Sequence, residues 1–80
     1  MTIQFKHQGN MVNAKVMTRY SQGEEGIFIL SDRDLGELGW VIYLAKRNHN
    51  WEPHPYLQNK YAETFSNLLS QLSKAFSSWI

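Results

Sequence analysis

The C-terminal third of the chain limits the fold most. From Tyr61 onward the large apolar residues recur at Tyr61, Phe65, Leu68, Leu69, Leu72, Ala75, Phe76 and Trp79, the three-and-four spacing that gathers side chains on one face of a helix. Leu57 and Ile80 border this arc, and the opposite arc holds Ser66, Asn67, Ser70, Gln71, Ser73, Lys74, Ser77 and Ser78. So clean a division predicts one amphipathic helix over about residues 55–79, with Phe65 and Leu72 in the core and the serines in water. Pro55 suits a first helical position, where a missing N–H costs nothing. Such a helix needs a surface to lie on, and the preceding residues must supply it.

They read as four strands, at about residues 2–8, 11–20, 26–31 and 40–46. Ile3, Phe5 and His7 alternate with Gln4, Lys6 and Gln8, and Val12, Ala14, Val16, Thr18 and Tyr20 alternate with Met11, Asn13, Lys15, Met17 and Arg19. Period-two alternation of this kind marks half-buried strands. Gly9-Asn10 between them suits a two-residue type II′ loop, with Gly taking the positive φ of the first central position. That loop pairs Gln8 with Met11, His7 with Val12, Phe5 with Ala14 and Ile3 with Val16. His7 then sits on the core face near the hairpin tip, as a partly covered edge residue rather than a ligand.

Ser21 to Gly26 form a polar, turn-rich connection, and Ser31 to Gly39 a longer loop with one helical turn capped by Ser31 or Asp32. The strands on either side of that loop, Ile27-Phe28-Ile29-Leu30 and Trp40-Val41-Ile42-Tyr43-Leu44-Ala45, are apolar on both parities and call for cover on both faces. The expected architecture is α+β: a four-stranded antiparallel meander with the C-terminal helix across one face. Eighty residues make one small domain, for which buried aromatic surface from three Trp, four Tyr and four Phe is a substantial resource.

One helix covers one face only. The sequence leaves open whether Phe28 and Leu30 or Ile27 and Ile29 face away from it, and likewise Val41, Tyr43 and Ala45 or Trp40, Ile42 and Leu44. An apolar patch near the middle strands follows in either case, and such patches mark contact surfaces. The interface candidates are Phe28, Leu30, Val41 and Tyr43, and the simplest occupant is a second copy across a two-fold axis, or else a partner protein.

Function is less legible. Residues 1 to 20 carry +3 and residues 21 to 37 carry −4, within a net charge of +1 that mostly describes solvated loops and strand edges. The chain has no cysteine, no Gly-rich phosphate loop and no serine in an elbow context, so a non-enzymatic module without cofactor is expected. Asp32-Arg33-Asp34-Leu35-Gly36-Glu37 fails as a calcium loop, because its Gly is displaced and its fifth position lacks an oxygen ligand. Trp51 is expected to plug the end of the sheet beneath the helix start. His49, Glu52 and His54 lie on a Pro-broken crossover with nothing fixing their distances, so loop positions are the expected reading rather than a zinc set. The competing function is single-stranded nucleic-acid binding, with Lys6, Lys15, Arg19, Lys46, Arg47 and Trp51 giving charge and stacking beside Phe28 or Tyr43. No apolar run reaches the ~20 residues of a membrane span, and the first residues lack a signal-peptide pattern; a soluble, cytoplasmic chain is expected.

Overall fold

The computed structural model of the chain describes residues 1–47 and 50–77. Five antiparallel strands follow one another in space as in sequence: β1 (Thr2–His7), β2 (Asn10–Ser21), β3 (Glu24–Ser31), β4 (Val41–Arg47) and β5 (Asn50–Glu52). Two helices, α1 (Pro55–Lys60) and α2 (Ala62–Ser77), cover one face. The fold is α+β as expected, with one more strand. Among the described residues no helix is long and apolar enough to cross a membrane.

The first hairpin differs from the expected register by two residues. His7 pairs with Asn10, Phe5 with Val12 and Ile3 with Ala14, so that Gln8-Gly9 forms the loop and Asn10 joins the strand. Both loop residues have positive φ, 50° at Gln8 and 83° at Gly9, the type I′ signature whose twist matches that of the flanking strands. A slide of two residues keeps every side chain on its own face. The same device recurs at Gln22-Gly23, where φ is 53° and 78° and Ser21 pairs with Glu24. The loop expected over Ser21 to Gly26 is therefore a tight turn, and β3 begins at Glu24, three residues before its apolar run.

The pleat settles the two parities. Ile3, Phe5, Val12, Ala14, Val16, Ile27, Ile29, Ile42 and Leu44 are buried under the helices with Phe65, Leu68 and Leu72. Each fully buried Leu, Ile or Phe contributes roughly 1.5 to 3 kcal/mol. The loop after β3 adds Leu35 and Leu38, buried around a 3-10 turn at Gly36–Leu38. That turn has no side-chain cap; Ser31 instead bonds Arg33, and Asp34 accepts from the Gly36 N–H.

The single helix expected over residues 55–79 is interrupted at Tyr61, which leaves the helical region at φ −117° and ψ 46°. Its side chain turns away to donate to Glu37 Oε1 at 3.0 Å, and Lys60 Nζ meets the same carboxylate at 2.8 Å. The 3-10 turn is thereby tied to the junction of α1 and α2. α1 begins as expected with Pro55, and His54 caps it by accepting the Tyr56 N–H on Nδ1. Ser78, Trp79 and Ile80, placed on the helix by their spacing, lie outside the described residues, as does His49.

α2 packs chiefly against β1. Two residues assigned to its wet flank or left out of its stripe make this contact specific. Asn67 Oδ1 accepts the Lys6 N–H at 2.6 Å, and Thr64, buried, lies 2.8 Å from Nδ1 of buried His7. Burial holds the His7 imidazole below its usual pKa, in the neutral form.

Candidate interaction face

By strand alternation the uncovered face carries Gln4 and Lys6 from β1, and Met11, Asn13, Lys15, Met17 and Arg19 from β2. β3 adds Gly26, Phe28 and Leu30, and β4 adds Val41, Tyr43, Ala45 and Arg47. Register aligns them into rows across the sheet: Lys15, Leu30 and Val41 in one, Met17, Phe28 and Tyr43 in the next, Arg19, Gly26 and Ala45 in the third. The interface candidates Phe28, Leu30, Val41 and Tyr43 thus share one surface. Met17 is 55% exposed, Val41 49% and Tyr43 43%, with Phe28 and Leu30 half-buried between them.

One glycine shapes this patch. A Cβ at Gly26 would run into the Tyr43 ring, which lies across β3 at that point. The same ring meets Phe28 at 5.1 Å between centroids, tilted by 45°. Arg19 brings its guanidinium carbon 5.9 Å from the Phe28 centroid, within cation–π range. Arg19, Gln22, Glu24, Phe28 and Tyr43 line a shallow hollow of about 340 Å³.

The nucleic-acid candidates divide between the faces. Arg19 lies against Phe28, Lys15 and Arg47 stand further along the same face, and Lys6 is at its far end opposite Met11, whereas Lys46 and Trp51 belong to the opposite side. Lys46 pairs with Glu25 at 3.2 Å and lies over the Trp51 ring. Trp51 stacks on Phe76, with centroids 5.9 Å apart, so it closes the core beneath the end of α2 rather than the helix start. Spacing along the chain could not reveal this, because it depends on β5 pairing antiparallel with β4, which sets Trp51 opposite Lys46.

Elsewhere the polar groups satisfy one another. Arg33 holds the Asp32 carboxyl below its usual range through a hydrogen bond at 3.0 Å. Lys60, and then Tyr61, do the same for Glu37, while Lys60 and the Tyr61 hydroxyl are pushed up. Among the described residues no three His, Asp or Glu side chains converge as a metal set would require. His54 is occupied in capping α1.

The fold and face define a small five-stranded α+β domain with one side of its sheet open. Comparison with known proteins finds no family model, no curated protein and no solved structure that matches the chain.

Proposed function

We propose that this chain is a non-enzymatic interaction module that self-associates through the sheet face its helices leave open. The observation carrying this reading is the row structure of that face: Met17, Phe28, Leu30, Val41 and Tyr43 form one contiguous apolar centre inside a polar and basic rim. An apolar core within a charged rim is the ordinary anatomy of a protein contact. Aligned packing of two such faces would interdigitate side chains as in a β-sandwich.

Sedimentation at tens of micromolar tests it. A dimer is expected, and Tyr43→Lys is expected to return a folded monomer. A wild-type chain that stays monomeric removes the second copy as occupant.

A second reading is favoured by one feature, Arg19 over the half-buried Phe28 beside exposed Tyr43, with Lys15 and Arg47 on the same face. Stacking of a base on such a ring is worth roughly 1 to 3 kcal/mol, and the cations would add a salt-dependent phosphate term. Anisotropy of a labelled single-stranded oligonucleotide at low salt separates the readings. Binding that Lys15→Glu and Arg19→Glu each weaken, and that added salt abolishes, supports this one.

A further inference from the structure

We propose that the outer edge of β4, at Val41 to Leu44, receives an extended segment of another protein as an added antiparallel strand. This goes beyond the sheet-face reading and uses different atoms, since the contact runs through backbone groups in the plane of the sheet.

The two borders of the sheet are built differently. On the β1 side the outward Lys6 N–H is taken by Asn67, and α2 runs alongside. On the other side β5 pairs with β4 only from Ala45 to Arg47. β5 ends at Glu52, and after Pro53 and His54 the chain turns into α1. Among the described residues Val41 to Leu44, about 13 Å of strand at ~3.3 Å per residue, therefore has a paired strand on the β3 side only, while Glu52 to Pro55 line the far wall of the cleft on its other side. The Ser31 N–H donates to the Trp40 carbonyl, which sets the alternation along β4. Ile42 and Leu44 direct their amides to β3, and Val41 and Tyr43 direct theirs outward.

A cleft of about 520 Å³ runs along this edge. Ile42, Leu38, Leu57 and Phe65 line it on the helical side, and Val41 and Tyr43 on the open side, so it wraps the strand rather than sitting on one face. An incoming strand would bond the outward groups of Val41 and Tyr43. Its residue opposite Ile42 would enter the cleft over Leu57 and Phe65, which calls for an aliphatic side chain. Its residues opposite Val41 and Tyr43 must carry an N–H, which excludes proline. These are the requirements of strand addition, where backbone bonds give affinity and alternate pockets give selectivity.

The occupant is a separate extended segment and not the β4 of a second copy. A two-fold pairing centred on Ile42 would bring Gly39 of one copy opposite Ala45 of the other, a position whose edge β5 already fills. The 3-10 turn at Gly36–Leu38 would meet that β5. A peptide with free ends has no such obstruction.

The probe is a capped six-residue peptide of alternating threonine and valine, with two versions N-methylated on one or the other set of alternate residues. Amide shifts and hydrogen exchange are read by NMR. The Val41 and Tyr43 amides should shift saturably and exchange at least tenfold more slowly. One N-methylated version should bind at least tenfold more weakly, and the other should bind like the parent. Val41→Pro removes an outward donor while leaving the β3 ladder whole, and should lose binding with the fold intact. Phe28→Ser, which alters only the open face, should bind like wild type; its loss of binding, or shifts centred on Met17 and Phe28, would assign the peptide to the face and overturn the proposal. No shift at Val41 and Tyr43 at millimolar peptide, or equal binding by both N-methylated versions, would also overturn it.

Discussion

In β3 and β4 the two faces of the sheet carry nearly the same apolar residue types and differ in cover, whereas in β1 and β2 alternation already separates an apolar face from a polar and basic one. Ile27 and Ile29 are fully buried, while their neighbours Phe28 and Leu30, one pleat away, are half-buried with no helix over them. Burial on one side is therefore a property of tertiary cover, and apolar composition marks only where cover is wanted. The helical face is closed by aliphatic and aromatic packing with few polar details. The open face keeps its apolar centre accessible and surrounds it with cations.

Substitutions break this comparison in graded ways. The largest effect belongs under the helices. Phe65→Ala should cost about 3 to 5 kcal/mol and Leu72→Ala about 2 to 5, since both leave cavities in a fully buried core. Urea denaturation measures this, and losses below about 1 kcal/mol would mean that α2 is not the lid. Gly26→Val comes next. It forces the Tyr43 ring off β3, with an expected cost of about 1 to 3 kcal/mol from overpacking and changed near-ultraviolet dichroism.

A smaller, pH-dependent effect tests the polar detail beneath the helix. The folded pKa of His7 lies below its unfolded value of 6.5, so its contribution is complete above pH 6.5. As pH falls below that, the unfolded chain takes up the proton first, and stability declines until the folded pKa is passed. Urea midpoints compared at pH 7.5 and about 5.5 should fall in wild type and fall less in His7→Gln. An identical slope in both would show that His7 is not responsible. On the open face Phe28→Ser should change monomer stability by less than about 1 kcal/mol while lowering self-association. The smallest effect is expected at Ser70→Ala, within about 0.5 kcal/mol of wild type, because Ser70 is exposed on α2.

Where period or spacing carried information, the sequence was readable. The stripe from Phe65 to Leu72 identified the helix and its buried side, and alternation in β1 and β2 identified the core set from Ile3 to Val16. The register was not readable to two residues, because Gln8-Gly9-Asn10 offers two adjacent two-residue loops that both preserve the faces. Only the positive φ at Gln8 distinguishes them. β3 and β4 are apolar on both parities, so no period existed to orient them. β5 is three residues long, below the length at which alternation is visible. The break at Tyr61 has no Gly or Pro to announce it and coincides with a bond to Glu37, 24 positions away. That Phe28, Leu30, Val41 and Tyr43 share the open face follows from the parity that the helices cover, which the sequence left open. The Gly26–Tyr43 fit and the open β4 edge depend on which strands are neighbours, and so emerged only with the fold.

The paired Gln-Gly turns also set an order of events in time. Each closes its hairpin across two residues, so the entropy of bringing β1, β2 and β3 together is small. The bond from Lys6 to Asn67 spans 61 positions, and contacts of that range form late. By sequence separation the meander is expected to be the early, local product and the docking of α2 onto β1 the closing step. Until that step the apolar set from Ile3 to Leu44 is uncovered as well as the centre of the open face, and the time spent there sets the exposure of this small chain to aggregation.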